Sequence, residues 1–437
     1  MLGLSRLSVE GKVGITTGVV FFSMLISRTL LSDLVDKDTR ALLFRVQFLL
    51  FINSLLLIGS LYIWKRVVRR LSGSRGVSSW SQMVWRTTVL LFLALAHGSY
   101  LSMFFLVGTE PHWLAVLSFT CLGIYVILLF FLLTFGFINR IHGLFKSSMR
   151  DQEQLVGSST RQTWLALIVT ALLTVYGLVN AAQPPQVVQV EIPLEKMPHS
   201  MSPLRLVLLS DIHLGPTIGR STLQRIITMV NQLEPDLVVI VGDLTDSQVS
   251  QLRIAAEPLG LMKSRLGSFF VTGNHDYYTA DVESWYELLR SMGVEPLHNS
   301  NARVHRPGQS QDWICLAGID DLEASMLRYP GHGMDVEQAL SGCSTEHPII
   351  LLAHQPRAAK QALLQRPDIN LVLSGHTHGG QLFPLTILAF LANPFFCGLY
   401  RVSDHTHIYV TPGTGYYGIP MRIGSRAEIT EIILRPA

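Results

Sequence analysis

The chain has 437 residues, about three times an ordinary domain of roughly 150, so it holds more than one unit. Only 15% of the residues are charged and the mean hydropathy is +0.35, which excludes disorder and makes membrane segments the first thing to seek. The net charge of +3 conceals two unlike parts. Residues 1–183 carry 16 Lys/Arg against 7 Asp/Glu, with 3 His; residues 184–437 carry 18 against 24, with 12 His.

In chain order, the first apolar run is Val13 to Ser32, broken by Arg28 near its end, where a long side chain can snorkel to the interface. A removable signal peptide competes for this run, but no small-x-small cleavage pattern follows it. The runs Val46 to Trp64, Thr87 to Gly108, Pro111 to Asn139 and Gln162 to Val190 contain no charge. Each supplies the ~20 apolar residues a helix needs to cross ~30 Å of hydrocarbon. The pattern predicts an all-α membrane domain over 1–183 with five transmembrane helices, at 13–32, 44–64, 87–108, 114–138 and 164–182.

Orientation follows from the basic residues in the connections. Lys65, Arg66, Arg69, Arg70, Arg75 and Arg86 lie between spans two and three, and Arg140, Lys146, Arg150 and Arg161 between spans four and five. The stretch from Gly108 to Trp113 has no Lys or Arg. The first connection is neutral on this point, since Lys37 and Arg40 only match Arg6 and Lys12. The expected arrangement is a multi-pass protein with a cytoplasmic N-terminus and an extracytoplasmic C-terminal half. Nucleic acid is excluded as the partner of these clusters, because they abut spans and lack interleaved aromatics. His97 and Cys121 lie inside spans with no intramembrane acid, so they read as packing residues and the bundle as an anchor.

A stiff linker, Gln183-Pro184-Pro185-Gln186, opens a linker segment over 184–203, and 204–437 reads as α/β. Short β-branched runs at Leu204–Leu209, Leu237–Val241, Ser268–Thr272, Trp313–Ala317, Ile349–Ala353 and Leu371–Leu373 predict strands. Helical patterns at Ser221–Leu233, Val249–Met262, Val282–Met292 and Ala358–Gln365 lie between them and predict a largely parallel sheet. Polar groups begin where the apolar runs stop: Asp211 and His213, Gly242-Asp243, Gly273-Asn274-His275-Asp276, His354, and Gly375-His376-Thr377-His378. At one sheet edge these would form a single cluster, as sites in open α/β sheets do.

The residue types name a chemistry. Asp, Asn and His without thiolate suit divalent Mn, Fe or Zn rather than a structural cysteine-zinc site. A shared carboxylate can hold two cations ~3.5–4 Å apart, which clamp the attacking and leaving oxygens of a displacement at phosphorus. Any single histidine here reads more simply as a satisfied loop residue; the ordered set is what argues for a site.

The set Asp211-x-His213, Gly242-Asp243, Gly273-Asn274-His275-Asp276, His354 and Gly375-His376-x-His378 resembles the calcineurin-like metallophosphoesterases over roughly 204–434. The forms Gly375-His-Thr-His-Gly-Gly-Gln381 and Gly424-Ser-Arg-Ala-Glu-Ile-Thr resemble a membrane-associated subgroup of that family. The resemblance implies a four-layer αββα sandwich and two divalent metal cations. By motif position, Asp211, His213 and His378 would bind the first, and Asn274, His354 and His376 the second, with Asp243 bridging. Asn274 and His275 would contact the phosphoryl group, His275 would protonate the leaving oxygen, and Asp276 would orient His275. The expected function is a membrane-anchored hydrolase in which a bridging hydroxide attacks a phosphomonoester or phosphodiester, with a lipid-linked phosphate among the candidate substrates. The alternative is a non-catalytic metal-binding scaffold or sensor.

Other segments carry two readings each. Phe383 to Leu399 is mostly apolar but interrupted by Pro384 and Pro394, so it is either a core helix under the sheet or an apolar lip that dips into the bilayer. Cys315 reads as a buried free thiol, with a bridge between two of Cys315, Cys343 and Cys397 left open. Asp320-Asp321-Leu322-Glu323 reads as a solvated acidic loop rather than a cation site. His405 and His407 lead into a surface strand, and His332 lines a substrate entrance.

Overall fold

Among the described residues, apolar composition and length produce five long helices: α1 (Val9–Leu30), α2 (Lys37–Ile63, continued by a π-helical turn Trp64–Arg69), α3 (Ser79–Phe105), α4 (Trp113–Leu144) and α5 (Met149–Ala182). All five are long and apolar enough to cross a membrane. The computed structural model describes residues 8–30, 37–69, 78–144, 149–308 and 310–437. Arg6, Arg70, Arg75 and Lys146, and the side chains of Arg28, Lys37, Arg40 and Arg150, used in reading the spans and their orientation, lie outside the described residues. Two compact units result. The first runs to Ser102 and includes Leu117–Gly177; the second joins Met103–Val116, the end of α3 and the α3–α4 loop, to Leu178–Ala437.

In the first unit large apolar side chains point outward, as at Phe22 (62% exposed), while polar groups pair inward. The His97 ring spans two partners on α2, with Nδ1 2.8 Å from Asn53 Oδ1 and Nε2 3.0 Å from Ser60 Oγ. The Tyr125 hydroxyl donates to the Leu56 carbonyl at 2.6 Å. Without water, such groups must find protein partners.

The second unit continues with β1 (Gln186–Leu194), β2 (Leu204–Leu209), α6 (Arg220–Gln232), β3 (Leu237–Val241), α7 (Val249–Ala256) and β4 (Ser268–Val271). After these come α8 (Asn274–Tyr278), α9 (Val282–Ser291), β5 (Val294–Pro296), β6 (Ser300–His305), β7 (Trp313–Gly318), α10 (Leu322–Met326) and α11 (Val336–Ala339). The chain closes with β8 (Ile349–Leu352), α12 (Pro356–Gln365), β9 (Leu371–Ser374), α13 (Leu385–Ala392), β10 (Gly398–Arg401), β11 (His407–Val410) and β12 (Glu428–Pro436). Two six-stranded sheets form, ordered β1-β12-β2-β3-β4-β5 and β10-β11-β9-β8-β7-β6.

Side-chain alternation builds the layers. Leu204, Leu206 and Leu208 of β2 meet Ile350 and Leu352 of β8 between the sheets. Val207 and Leu209 turn to the other face, against Ile226 and Val230 of α6 and Trp285 of α9. On the far side Ile349 and Leu351 pack on Ala358 and Ala362 of α12. Helix, sheet, sheet and helix therefore stack around three apolar interfaces, the αββα order.

Several expectations change. The parallel strands belong to two sheets, so the polar groups gather from two sheet edges rather than one. The expected linker is structural: β1 pairs in parallel with β12 over Gln186↔Glu428 to Leu194↔Pro436, burying Ile192 and Leu194. Its alternating pattern was hidden in sequence because the apolar run of span five continues into it. Cys315 is not a free thiol but is disulfide-bonded to Cys343 across 28 residues. Strand β11 is an inner strand between β10 and β9, with Ile408, Tyr409 and Val410 buried, rather than a surface one.

Candidate metal centre

Strands β2, β3 and β4 run parallel in one sheet and β8 and β9 in the other, and all five predicted groups follow their carboxyl ends. The turns leaving these strands are sharp. Asp211, His213, Asp243, His376 and His378 all have positive φ, between 52° and 70°. Left-handed backbone costs a non-glycine residue about 1–2 kcal/mol, so the surrounding packing is holding these side chains inward against local preference. Glycine is required beside them. A Cβ on Gly242 (φ 79°) would lie 2.5 Å from His354 Nδ1, and one on Gly273 would strike the Asp243 carboxylate.

Asp211, His213 and His378 converge as one group and Asp243, His354 and His376 as another. In the first, His213 Nε2 is 3.1 Å from His378 Nε2, which is 3.4 Å from Asp211 Oδ1. In the second, His354 Nε2 is 3.2 Å from Asp243 Oδ2, and His376 Nδ1 is 2.8 Å from Asn274 Oδ1. Asp243 Oδ2 also lies 3.8 Å from His213 Nε2, so this carboxylate stands between the groups.

The donor set fits divalent cations on a specific observation. His354 Nδ1 lies 2.8 Å from the Val241 carbonyl, an acceptor to which it can only donate. That leaves Nε2 as a buried nitrogen with no hydrogen-bond partner, facing a carboxylate. His213 is oriented in the same way, with Nδ1 3.0 Å from Asp246 Oδ1 and Nε2 turned inward. Imidazoles held through one nitrogen by an outer acceptor, with the other aimed at carboxylates, are arranged as metal ligands are.

His275 sits at the side of this cluster, its ring centroid 4.7 Å from that of His213 and its backbone N–H donating to Asp243 Oδ1 at 2.8 Å. The expected partner is corrected here. Asp246 Oδ1, not Asp276, lies 2.8 Å from His275 Nδ1. Asp276 instead turns back to accept four backbone N–H groups, from Asp243, Leu244, Thr245 and Gly273, and so braces the loop that carries Asp243. Its position in the first turn of α8 accounts for the Gly273 bond, the capping box, and the other three donors come from the loop after β3 that packs against this turn. Burial alone would lower the His275 imidazole, but Asp243, then Asp246 and Asp276, outweigh it and hold it up at about 9. Burial would raise Asp246, yet His213 and His275 bring it down to about 2.

Three contributors escaped the sequence reading. Asp246 had a signal, a second carboxylate three residues after Asp243 in the same turn. Tyr417 had none; its ring centroid stands 4.4 Å from that of His275 and 5.1 Å from that of His213. Arg422 is fully buried and donates to the carbonyls of His378, Pro412, Gly413, Gly415 and Arg426, fixing the loops around the ligands.

Asp320, Asp321 and Glu323 are buried, not a solvated loop. Asp320 lies 2.8 Å from His298 Nδ1 and 3.3 Å from His332 Nδ1, and Asp321 accepts from the Glu323 N–H at the start of α10. His332 is thereby packed into this network, with Tyr277 Oη 3.0 Å away, rather than lining an entrance.

Residues 204–380 match the description of the calcineurin-like phosphoesterase family. A transmembrane protein with metallophosphoesterase domain from Danio rerio is 76% identical over 437 residues, the whole of both chains. One of the same description from Bos taurus is 53% identical over 441 residues, 99% of each. A metallophosphoesterase of Helicobacter pylori is 36% identical over 260 residues, 60% of this chain and 66% of that one. With this Asp/His cluster and five apolar helices, the chain belongs to the calcineurin-like metallophosphoesterases, as a multi-pass membrane hydrolase of phosphoester bonds.

Proposed function

We propose that the hydrolase works through a dinuclear centre on the extracytoplasmic side, cleaving a phosphomonoester or phosphodiester that is lipid-linked. The observation that carries the dinuclear reading is Asp243, placed between two ligand groups and facing the partnerless His354 nitrogen. Asp211, His213 and His378 would hold one cation and Asn274, His354 and His376 the other. Two divalent cations held there would supply a water that is nucleophilic near neutral pH and would offset the negative charge on the phosphoryl oxygens. His275, held through Nδ1 by Asp246, presents Nε2 to the leaving oxygen and donates its proton there. Asn274 and His275 border the phosphoryl position, and Asp276 keeps the Asp243 turn in place.

Three features support the side assignment. The basic residues Lys65, Arg66, Arg69, Arg86, Arg140 and Arg161 flank the opposite connections. The α3–α4 loop belongs to the hydrolase unit: Thr109 accepts from the Arg220 N–H at 2.8 Å, and Glu110 accepts from the Ser221 N–H and hydroxyl. The Cys315–Cys343 disulfide suits an oxidising compartment.

The test uses the full chain in detergent with Mn²⁺ and an aryl phosphate or bis-aryl phosphodiester. Metal-dependent turnover that Asp243→Asn abolishes is expected. Tight metal binding with no turnover on either ester would establish the scaffold alternative instead. In sealed vesicles, protease added from the cytoplasmic side is expected to spare the C-terminus; digestion there would reverse the topology.

A further inference from the structure

Helix α13 departs from the rule that governs the rest of the hydrolase unit. None of its residues is buried, and Leu388, Phe390 and Leu391 are 64%, 62% and 74% exposed. From Leu382 to Tyr400 the sequence has no charged residue. The core-helix reading of this segment is therefore overturned, and only its C-terminal flank at Phe395 packs against the second sheet. An apolar surface of this kind marks an interaction site.

Its position names the occupant. The base of α13 is fixed: Thr386 Oγ1 donates to the Gly380 carbonyl at 3.0 Å, and Leu382 bridges to Ile423. The segment around Ile423 binds the last turn of α5, where Asn180 Nδ2 donates to the Arg422 and Ser425 carbonyls at 2.9 and 3.0 Å. Tyr417, against the site histidines, reaches the end of α3, with its hydroxyl 3.7 Å from Met103 Sδ. The last residues of α3 and of α5, which belong to the hydrolase unit, thus lie against the loops that carry α13 and border the site. At the other end of α13 the exposed Arg357 guanidinium donates to the Ala392 carbonyl at 2.9 Å. An apolar helix with a cation at its rim suits the boundary between acyl chains and anionic headgroups.

We infer that α13 is seated in the outer leaflet beside the point where α5 leaves it, forming an apolar lip from which a phospholipid's phosphate reaches the metal ligands. The link from lip to site is short. His378 precedes α13 by seven residues, and Thr377 Oγ1 donates to the Phe396 carbonyl at 2.7 Å, so both flanks of the helix are tied to the ligand turn. The substrate class is an amphiphilic phosphoester that keeps its acyl chains in the bilayer while its headgroup enters the site. This deepens, and rests on, the hydrolase reading.

Two measurements separate the parts. In a Cys397→Ser background, a spin label at Leu391→Cys in proteoliposomes of the full chain is expected to collide more with oxygen than with a water-soluble nickel chelate. A label at Lys360→Cys, exposed on α12, is expected to show the reverse. Water-like accessibility at position 391 overturns the lip whatever the enzyme does. Leu388→Glu with Leu391→Glu is expected to lower hydrolysis of phosphatidic acid or phosphatidylinositol in vesicles about tenfold or more, since charge is expelled from hydrocarbon. Aryl phosphate turnover is expected to stay unchanged. An embedded label with equal loss on both substrates overturns the lipid-delivery role. Absence of turnover on every ester in the parent protein overturns the hydrolase reading instead, with the accessibility result still standing.

Discussion

The two units solve burial in opposite ways. In the membrane helices, Leu172 is 67% exposed while Ser99 and Thr163 are buried; in the hydrolase, Leu206 and Val239 are fully buried. The first unit expects lipid outside and so turns its few polar groups inward. The second expects water outside, buries its apolar strands, and gathers its densest cluster of buried polar groups where strands end. Helix α13 belongs to the second unit by contact but follows the first by exposure, which is why exposure was more informative there than connectivity.

The contrast predicts where substitution hurts. The largest effect is expected at Asp243→Asn, which alters the carboxylate that stands between the two groups and is proposed to serve both. Turnover falls at least about 10³-fold and bound metal is lost, measured by kinetics and elemental analysis. Chelation of the parent protein is expected to abolish activity likewise. His275→Ala is expected to lose about 10²–10⁴-fold with metal content retained, and less on esters whose leaving group needs no proton. Equal loss across leaving groups would remove its acid role. Asp246→Asn, which loosens His213 and His275 together, is expected to cost about 10–100-fold, with weaker metal affinity.

Stability then tests the burial contrast itself. Leu206→Ala between the sheets is expected to cost about 2–5 kcal/mol, seen as a lowered Tm, whereas Leu172→Ala facing outward on α5 should cost far less. Similar losses at both positions would break the distinction. The smallest effect is expected at Glu110→Ala. Gly219, preceding α6, has no side chain with which to cap the helix, and Glu110 binds its first turn, so about 1 kcal/mol is at stake.

Much of this was legible in the chain. Charge-free runs of span length, β-branched runs at strand length and the order Asp211, His213, Asp243, Asn274, His354, His376, His378 are local patterns, and local patterns survive in sequence. The limits were equally physical. The strand Gln186–Leu194 was masked by the apolar run before it, and the pairing of Cys315 with Cys343 depends on two loops meeting.

What sequence alone determined was therefore the existence of the spans, most of the strands and the set of Asp, Asn and His residues that cluster, because each is written in the periodicity or spacing of neighbours. Tertiary structure decided which carboxylate serves His275, giving it Asp246 while Asp276 went to the backbone. It also left α13 unburied. Both outcomes depend on what remote segments come to lie beside a residue, and one-dimensional pattern carries no record of that distance.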